Sequence, residues 1–165
     1  MVPARVPAPT SASSSADCQG ASDAEAQPSE LAYLAMARMF EPKNKLPTHS
    51  IVLEPGSYAV ATLNKAPFVP ARLPSNAPTL RFTSHPGLQQ IVDHDAVNLA
   101  HGTRHLTLDI TYEAGSSIAQ VWIGTAICLP SDSTLMLMCC CTTRLTFERT
   151  CAGWQLVDKP ISVCA

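Results

Sequence analysis

Apolar and polar residues alternate most regularly from Arg104 to Glu113, where Leu106, Leu108, Ile110 and Tyr112 take every second place and Thr107, Asp109 and Thr111 fill the gaps. A period of two puts successive side chains on opposite faces of an extended chain, so this stretch predicts a strand with one buried and one wet face. Ala114-Gly115-Ser116-Ser117 then turns the chain. On the next predicted strand Val121, Ile123 and Ile127 share a face, with Trp122, Gly124, Ala126 and Cys128 on the other. Pro130-Ser131-Asp132-Ser133 breaks it. Leu135 to Cys141 is apolar on both faces and predicts a central, fully covered strand. A last hairpin is expected from Leu145-Thr146-Phe147-Glu148, the turn Cys151-Ala152-Gly153, and Trp154-Gln155-Leu156-Val157, with Ile161 to Val163 as a further edge.

Earlier in the chain the pattern is less regular. Ile51-Val52-Leu53, the turn Glu54-Pro55-Gly56 and Tyr58 to Leu63 predict a strand and its return. Prolines at 67, 70, 74 and 78 punctuate a loop, Thr79 to Thr83 is a short strand, and His85-Pro86-Gly87 closes it. Leu88, Ile91 and Val92 allow a short helix within Leu88 to Leu99. One helix is expected near the start: Ser29 in the capping position, then Glu30 to Phe40 with Leu31, Leu34, Ala35 and Met39 near helical spacing, stopped by Glu41-Pro42. Residues 1 to about 28 carry almost no large apolar group and are expected to be disordered. The chain thus divides into a flexible arm over 1–47, with its helix about 30–40 docking on its own domain or a neighbour, and a β domain over 48–165. Short strands at this spacing indicate an all-β, antiparallel two-sheet sandwich or jelly roll.

Composition narrows the function classes. The 165 residues are 46% hydrophobic and 15% charged, the balance of a folded chain, and the formal net charge of -2 offers no basic field for tight phosphate binding. Fourteen prolines against seven glycines favour short elements and long loops. Met1 to Pro7 is followed by no apolar signal core, and the run from Leu135 to Cys141 falls far short of a bilayer span, so a soluble, intracellular chain is expected. Of the seven cysteines, Cys139, Cys140 and Cys141 are adjacent and cannot share one local bridge, and reduced, buried thiols are the preferred reading.

From Arg104 to Ser133 the order of features resembles tymovirus-type coat proteins of plant icosahedral viruses. Leu106 to Tyr112 corresponds to the alternating strand of that family, and Val121-Trp122-Ile123-Gly124-Thr125-Ala126-Ile127-Cys128-Leu129-Pro130 to the strand that ends in proline before a serine-bearing turn at Ser131-Asp132-Ser133. Cys128 or Leu129 stands where that family's pattern has tryptophan. The resemblance implies a jelly-roll subunit that self-assembles with identical copies into a capsid around an RNA genome, touching RNA weakly and without sequence preference. The expected setting is then the virion and the host cytoplasm, with no membrane partner. The alternative is a monomeric or dimeric β-sandwich binding or host-interaction module.

No catalytic motif is legible. Asp93-His94-Asp95, His101 and His105 form the densest titratable group, and His101 and His105 at i, i+4 would share a helix face for a metal. Gly102 interrupts that helix and Leu106 begins a strand, so polar loop residues are the plainer reading, with a pH-responsive interface as the other use of these imidazoles. No Cys-x-x-Cys pair exists for zinc, and a Cys151–His105 pair is of the kind that chance supplies among seven cysteines and five histidines. Arg72, Arg81, Arg104, Arg144 and Arg149 are scattered and read as solvated surface; Trp122 and Trp154 read as core or interface anchors. The expectation is a non-enzyme with no catalytic, cofactor or metal residues and no cofactor.

Overall fold

A computed structural model describes residues 26–42, 53–135 and 140–164. Helix α1 (Ala26–Met39) precedes strands β1 (Ser57–Leu63), β2 (Ala66–Pro67) and β3 (Leu80–Thr83); helix α2 (His85–His94) follows, then β4 (Thr103–Tyr112), β5 (Ile118–Cys128), β6 (Cys141–Thr150) and β7 (Gly153–Cys164). The described residues are mostly β, with 45% of them in strands. The seven strands form one open mixed sheet in the order β2-β1-β4-β5-β6-β7, with β3 also on β1. This replaces the expected pair of antiparallel sheets: among the described residues, helices and not a second sheet cover the apolar faces.

Strands β4 to β7 form an antiparallel meander, whereas β1 is parallel to both β3 and β4 and lies between them. A parallel partner cannot be reached by a tight hairpin, so the chain needs a crossover, and α2 supplies it between β3 and β4. The helix begins where the sequence suggested only a turn. Ser84 is its N-cap, its hydroxyl accepting from Gly87 N at 3.0 Å, and Pro86 sits in the first turn, where its missing N–H costs nothing.

Alternation assigns the two faces. Ala59 and Ala61 of β1 pack in the main core with Leu106, Leu108, Ile110 and Tyr112 of β4 and Val121 and Ile123 of β5, while Val60 points to the other side and meets Leu88 and Val92 of α2. Helix α1 covers the main core. Leu31, Ala32, Ala35 and Met36 are fully buried and Met39 nearly so, and burying each large side chain among them contributes roughly 1.5–3 kcal/mol. The helix starts ahead of Ser29, whose hydroxyl accepts from Ala71 N at 3.0 Å and caps nothing. Gln27 is buried and accepts from the Tyr112 hydroxyl at 2.7 Å, and Tyr112 meets Trp154 edge to face. Residues 26–42 therefore belong to the packed unit and not to an arm. The rest of the expected arm, the strand at Ile51-Val52 and most of the covered strand from Leu135 to Cys141 lie outside the described residues.

The cysteine reading needs correction. Cys141 and Cys164 are register partners on β6 and β7 with Cα atoms 4.1 Å apart, and they form a disulfide. Cys140 and Cys151 are disulfide-bonded as well, and Cys128 is a buried free thiol. Adjacency excluded one shared bridge but not bridges to cysteines brought up by other strands. No helix among the described residues is long and apolar enough to cross a membrane.

Candidate functional site

The parallel strands β1, β3 and β4 all start at one end of the sheet, and on the α2 side of that end lies an open cleft of about 570 Å³. That volume is within the range of small-ligand sites. Its rim begins with the turn at Glu54-Pro55-Gly56-Ser57, closed by Ser57 N donating to Glu54 O at 3.1 Å. Gly56 has φ +86, a backbone state that costs glycine nothing. The Gly56 carbonyl then accepts from Arg81 Nε at 2.7 Å.

Arg81 is fixed from a second direction. Tyr58 and Arg81 are direct register partners on β1 and β3, and the guanidinium carbon sits 4.1 Å from the centre of the tyrosine ring. One nitrogen is thus committed, the plane is set by the ring, and the two terminal nitrogens have no protein partner among the described residues. Arg104, at the start of β4, is exposed and its segment borders the same cleft, its side chain alternating to the face opposite His105. Glu54 and Asp95 bring two carboxylates, and Pro55, Ile91 and Leu99 an apolar lining. The cleft therefore presents the Arg81 guanidinium, two carboxylates and an apolar strip. Its far wall depends on Gly102 (φ +87), where a Cβ would lie 2.4 Å from Ile127 Cγ2 and 2.9 Å from the Cys128 carbonyl.

Helix α2 is bolted to the sheet beside this cleft by a polar network. Asp93 accepts from Ser131 N at 2.7 Å and from the Ser131 hydroxyl at 2.6 Å, and from Gln89 Nε2 at 3.0 Å. The Ser131 hydroxyl above all, then the Ser131 amide and Gln89, hold the Asp93 carboxyl below its ordinary range. The Cys128 thiol donates to Gln89 Oε1 at 3.4 Å, and burial, with Asp93 nearby, pushes it up toward the neutral form. A thiol kept protonated is a poor nucleophile.

His94, His101 and His105 do not converge. His94 is exposed at the end of α2, His101 is exposed in the following turn, and His105 is buried on β4. Among the described residues no three His, Cys, Asp or Glu side chains gather to hold a metal. Asp93 serves the Ser131 network, and the Cys151 sulfur of the Cys151–His105 pair is tied in a disulfide. The other basic residues go elsewhere: Arg72 stacks on Tyr33, and Arg144 lies 5.9 Å from the ring of Trp122 on the sheet face opposite α1. Trp154 is a core anchor. The feature missed in the sequence is the Tyr58–Arg81 stack, since only the parallel register of β1 and β3 makes these residues neighbours; the Glu-Pro-Gly turn was the one legible part of the cleft.

Comparison with known proteins found no matching family model, no matching curated protein and no matching solved structure.

Proposed function

We propose that this domain is a non-catalytic binding module whose cleft takes a peptide segment through an acidic group. The observation that carries this reading is the guanidinium of Arg81, held by the Tyr58 ring and the Gly56 carbonyl with its terminal donors uncommitted. A pre-oriented planar fork loses little entropy on meeting a carboxylate, and charge-assisted bonds of this kind are the strong ones. Glu54 and Asp95 suit the amide or amine donors that a peptide also carries, and Ile91 and Leu99 suit an apolar neighbour. The Cys141–Cys164 bridge supports an oxidising setting for the protein in place of the reducing cytoplasm. Titration of the 15N-labelled protein with glutamate-bearing hexapeptides tests the reading. Amide shifts should centre on Gly56, Tyr58 and Gly102, and Arg81→Ala should weaken binding about 10- to 100-fold, the value of one charge-assisted pair. Arg81→Lys should not restore it, because an ammonium cannot both stack and fork. Shifts confined to another face, or equal affinity in Arg81→Ala, would overturn it.

A second reading, self-association, draws on edge strand β7, which carries the exposed residues Leu156, Ile161 and Val163. It is the route by which the coat-type expectation, with a jelly-roll shell enclosing RNA, would return. Asp158 (φ +61), Lys159 and Pro160 interrupt the middle of that edge, opposite the irregularity between Arg144 and Thr146. Charge and proline at an edge oppose continuous strand pairing, which is why the cleft ranks first. Light scattering behind size exclusion, with negative-stain microscopy, separates the two: particles favour the coat-type reading, and a monomer at high concentration removes it.

A further inference from the structure

Beneath α2 one ionisable group is sealed away from water. His105 is 2% exposed, and its Nε2 has no hydrogen-bond partner. Its Nδ1 faces the Thr103 carbonyl at 3.5 Å, an acceptor only, so the ring proton belongs on Nδ1 and Nε2 carries a bare lone pair. The ring of His85, at the first residue of α2, stands against it edge to face with centroids 6.2 Å apart.

We infer that His105 is an acid-responsive latch: a proton on its Nε2 loosens α2 from the sheet and opens the cleft wall that α2 provides. The link to the cleft is structural. Arg81, Tyr58, His105 and Ala126 form one cross-strand row over β3, β1, β4 and β5, so the latch is the register neighbour of the tyrosine that holds Arg81. About two turns of α2 separate His85 from Ile91, and nearly three from Asp95, in the cleft lining. The regulatory role of the latch rests on the cleft being the binding site; the latch itself does not.

Protonation would create a buried cation and a donor with no acceptor. The surrounding groups cannot relieve either. From α2, His85 brings a second group of the same sign, and Asp93 is turned to Ser131 and Gln89. From β1 comes the Tyr58 ring with the Arg81 cation of β3 upon it, and from β5 the Cys128 thiol, held neutral. On β4 itself, Arg104 alternates to the opposite face and the Thr103 carbonyl is the one favourable contact. Burial foremost, with His85 adding repulsion against the Thr103 carbonyl, keeps the His105 ring neutral below its ordinary value of 6.5. The unfolded chain then binds the proton more readily than the folded one. Stability is complete above pH 6.5 and is lost as pH falls from there through the folded value.

Hydrogen exchange of the full chain, without ligand, tests this. Between about pH 7.5 and pH 5 the protection factors of α2 amides, corrected for intrinsic rates, should fall about tenfold or more, with β5 and β6 amides holding theirs. His105→Leu should abolish that selective fall, and His85→Ala should shrink it and move its midpoint to higher pH, because losing the repelling charge raises the folded His105 value back toward 6.5. If His105→Leu does not fold, the His85→Ala midpoint decides. Parallel behaviour of α2 and the sheet, an unchanged response in His105→Leu or an unmoved midpoint in His85→Ala overturns the latch. Failure of Arg81→Ala to affect peptide binding overturns the cleft reading and leaves these exchange results standing.

Discussion

Gly102 and Arg81 show how single residues set the cleft. Gly102 occupies φ +87 with Ile127 and the Cys128 backbone at the position of any Cβ, so alanine there is strained twice. A left-handed non-glycine residue costs roughly 1–2 kcal/mol and an overpacked one roughly 1–3 more. Gly102→Ala should therefore lower the unfolding free energy by about 2–5 kcal/mol in urea titrations, whereas Gly115→Ala, at φ +85 with nothing within 4 Å, should cost only the backbone part. Arg81 acts differently: it is exposed, so its loss removes the Tyr58 stack and the bond to the Gly56 carbonyl but leaves no cavity in the core. Arg81→Ala should leave the denaturation midpoint close to wild type while affecting binding, and urea curves recorded beside the peptide titration separate these effects.

Helix α2 is the element on which the site turns. Apolar contact from Leu88 and Val92, the Ser84 cap and the Asp93–Ser131 bonds together hold a helix of 10 residues, too short to persist alone in water. Asp93 has a folded carboxyl depressed by its hydrogen bonds, so the unfolded chain takes up the proton first. Its contribution is present above pH 3.8 and is lost as pH falls through the folded value. In Asp93→Asn, unfolding midpoints measured from about pH 6 to 2.5 should lose part of that acid dependence, and midpoints at neutral pH should drop. This acid limb sets in at 3.8, whereas the His105 contribution starts to fall already at 6.5, so the onsets of the two are distinct in one titration.

At the scale of the whole molecule, the sheet is asymmetric. One face is sealed by α1 and the large core; the other is covered by α2 at one end. The Cys141–Cys164 bridge ties edge strand β7 to β6 across a separation of 23 residues. By loop entropy such a link stabilises by about 3 kcal/mol. Cys164→Ser should bring a loss of that order, together with faster exchange of the Ile161 to Val163 amides but not of those in β4. Wild-type protein under thiol reductant should move in the same direction. A chain equally stable without the bridge would argue that β7 is held by Trp154 and Leu156 alone.

The strand between Arg104 and Glu113, its partner through Cys128 and the last hairpin were legible because strict alternation against a buried face admits one reading. The segment from Glu30 to Phe40 was legible as a helix for the corresponding reason, a 3.6-residue period. Pairing was not, because period two says which way a side chain faces and nothing about which strand lies beside it. Only tertiary structure made β1 parallel to β3 and β4, placed Tyr58 under Arg81 and buried His105 against His85. It likewise brought Cys141 opposite Cys164 and turned an expected two-sheet sandwich into a single sheet closed by helices. The local pattern determined the elements; long-range register, which depends on contacts between residues far apart in the chain, decided the site.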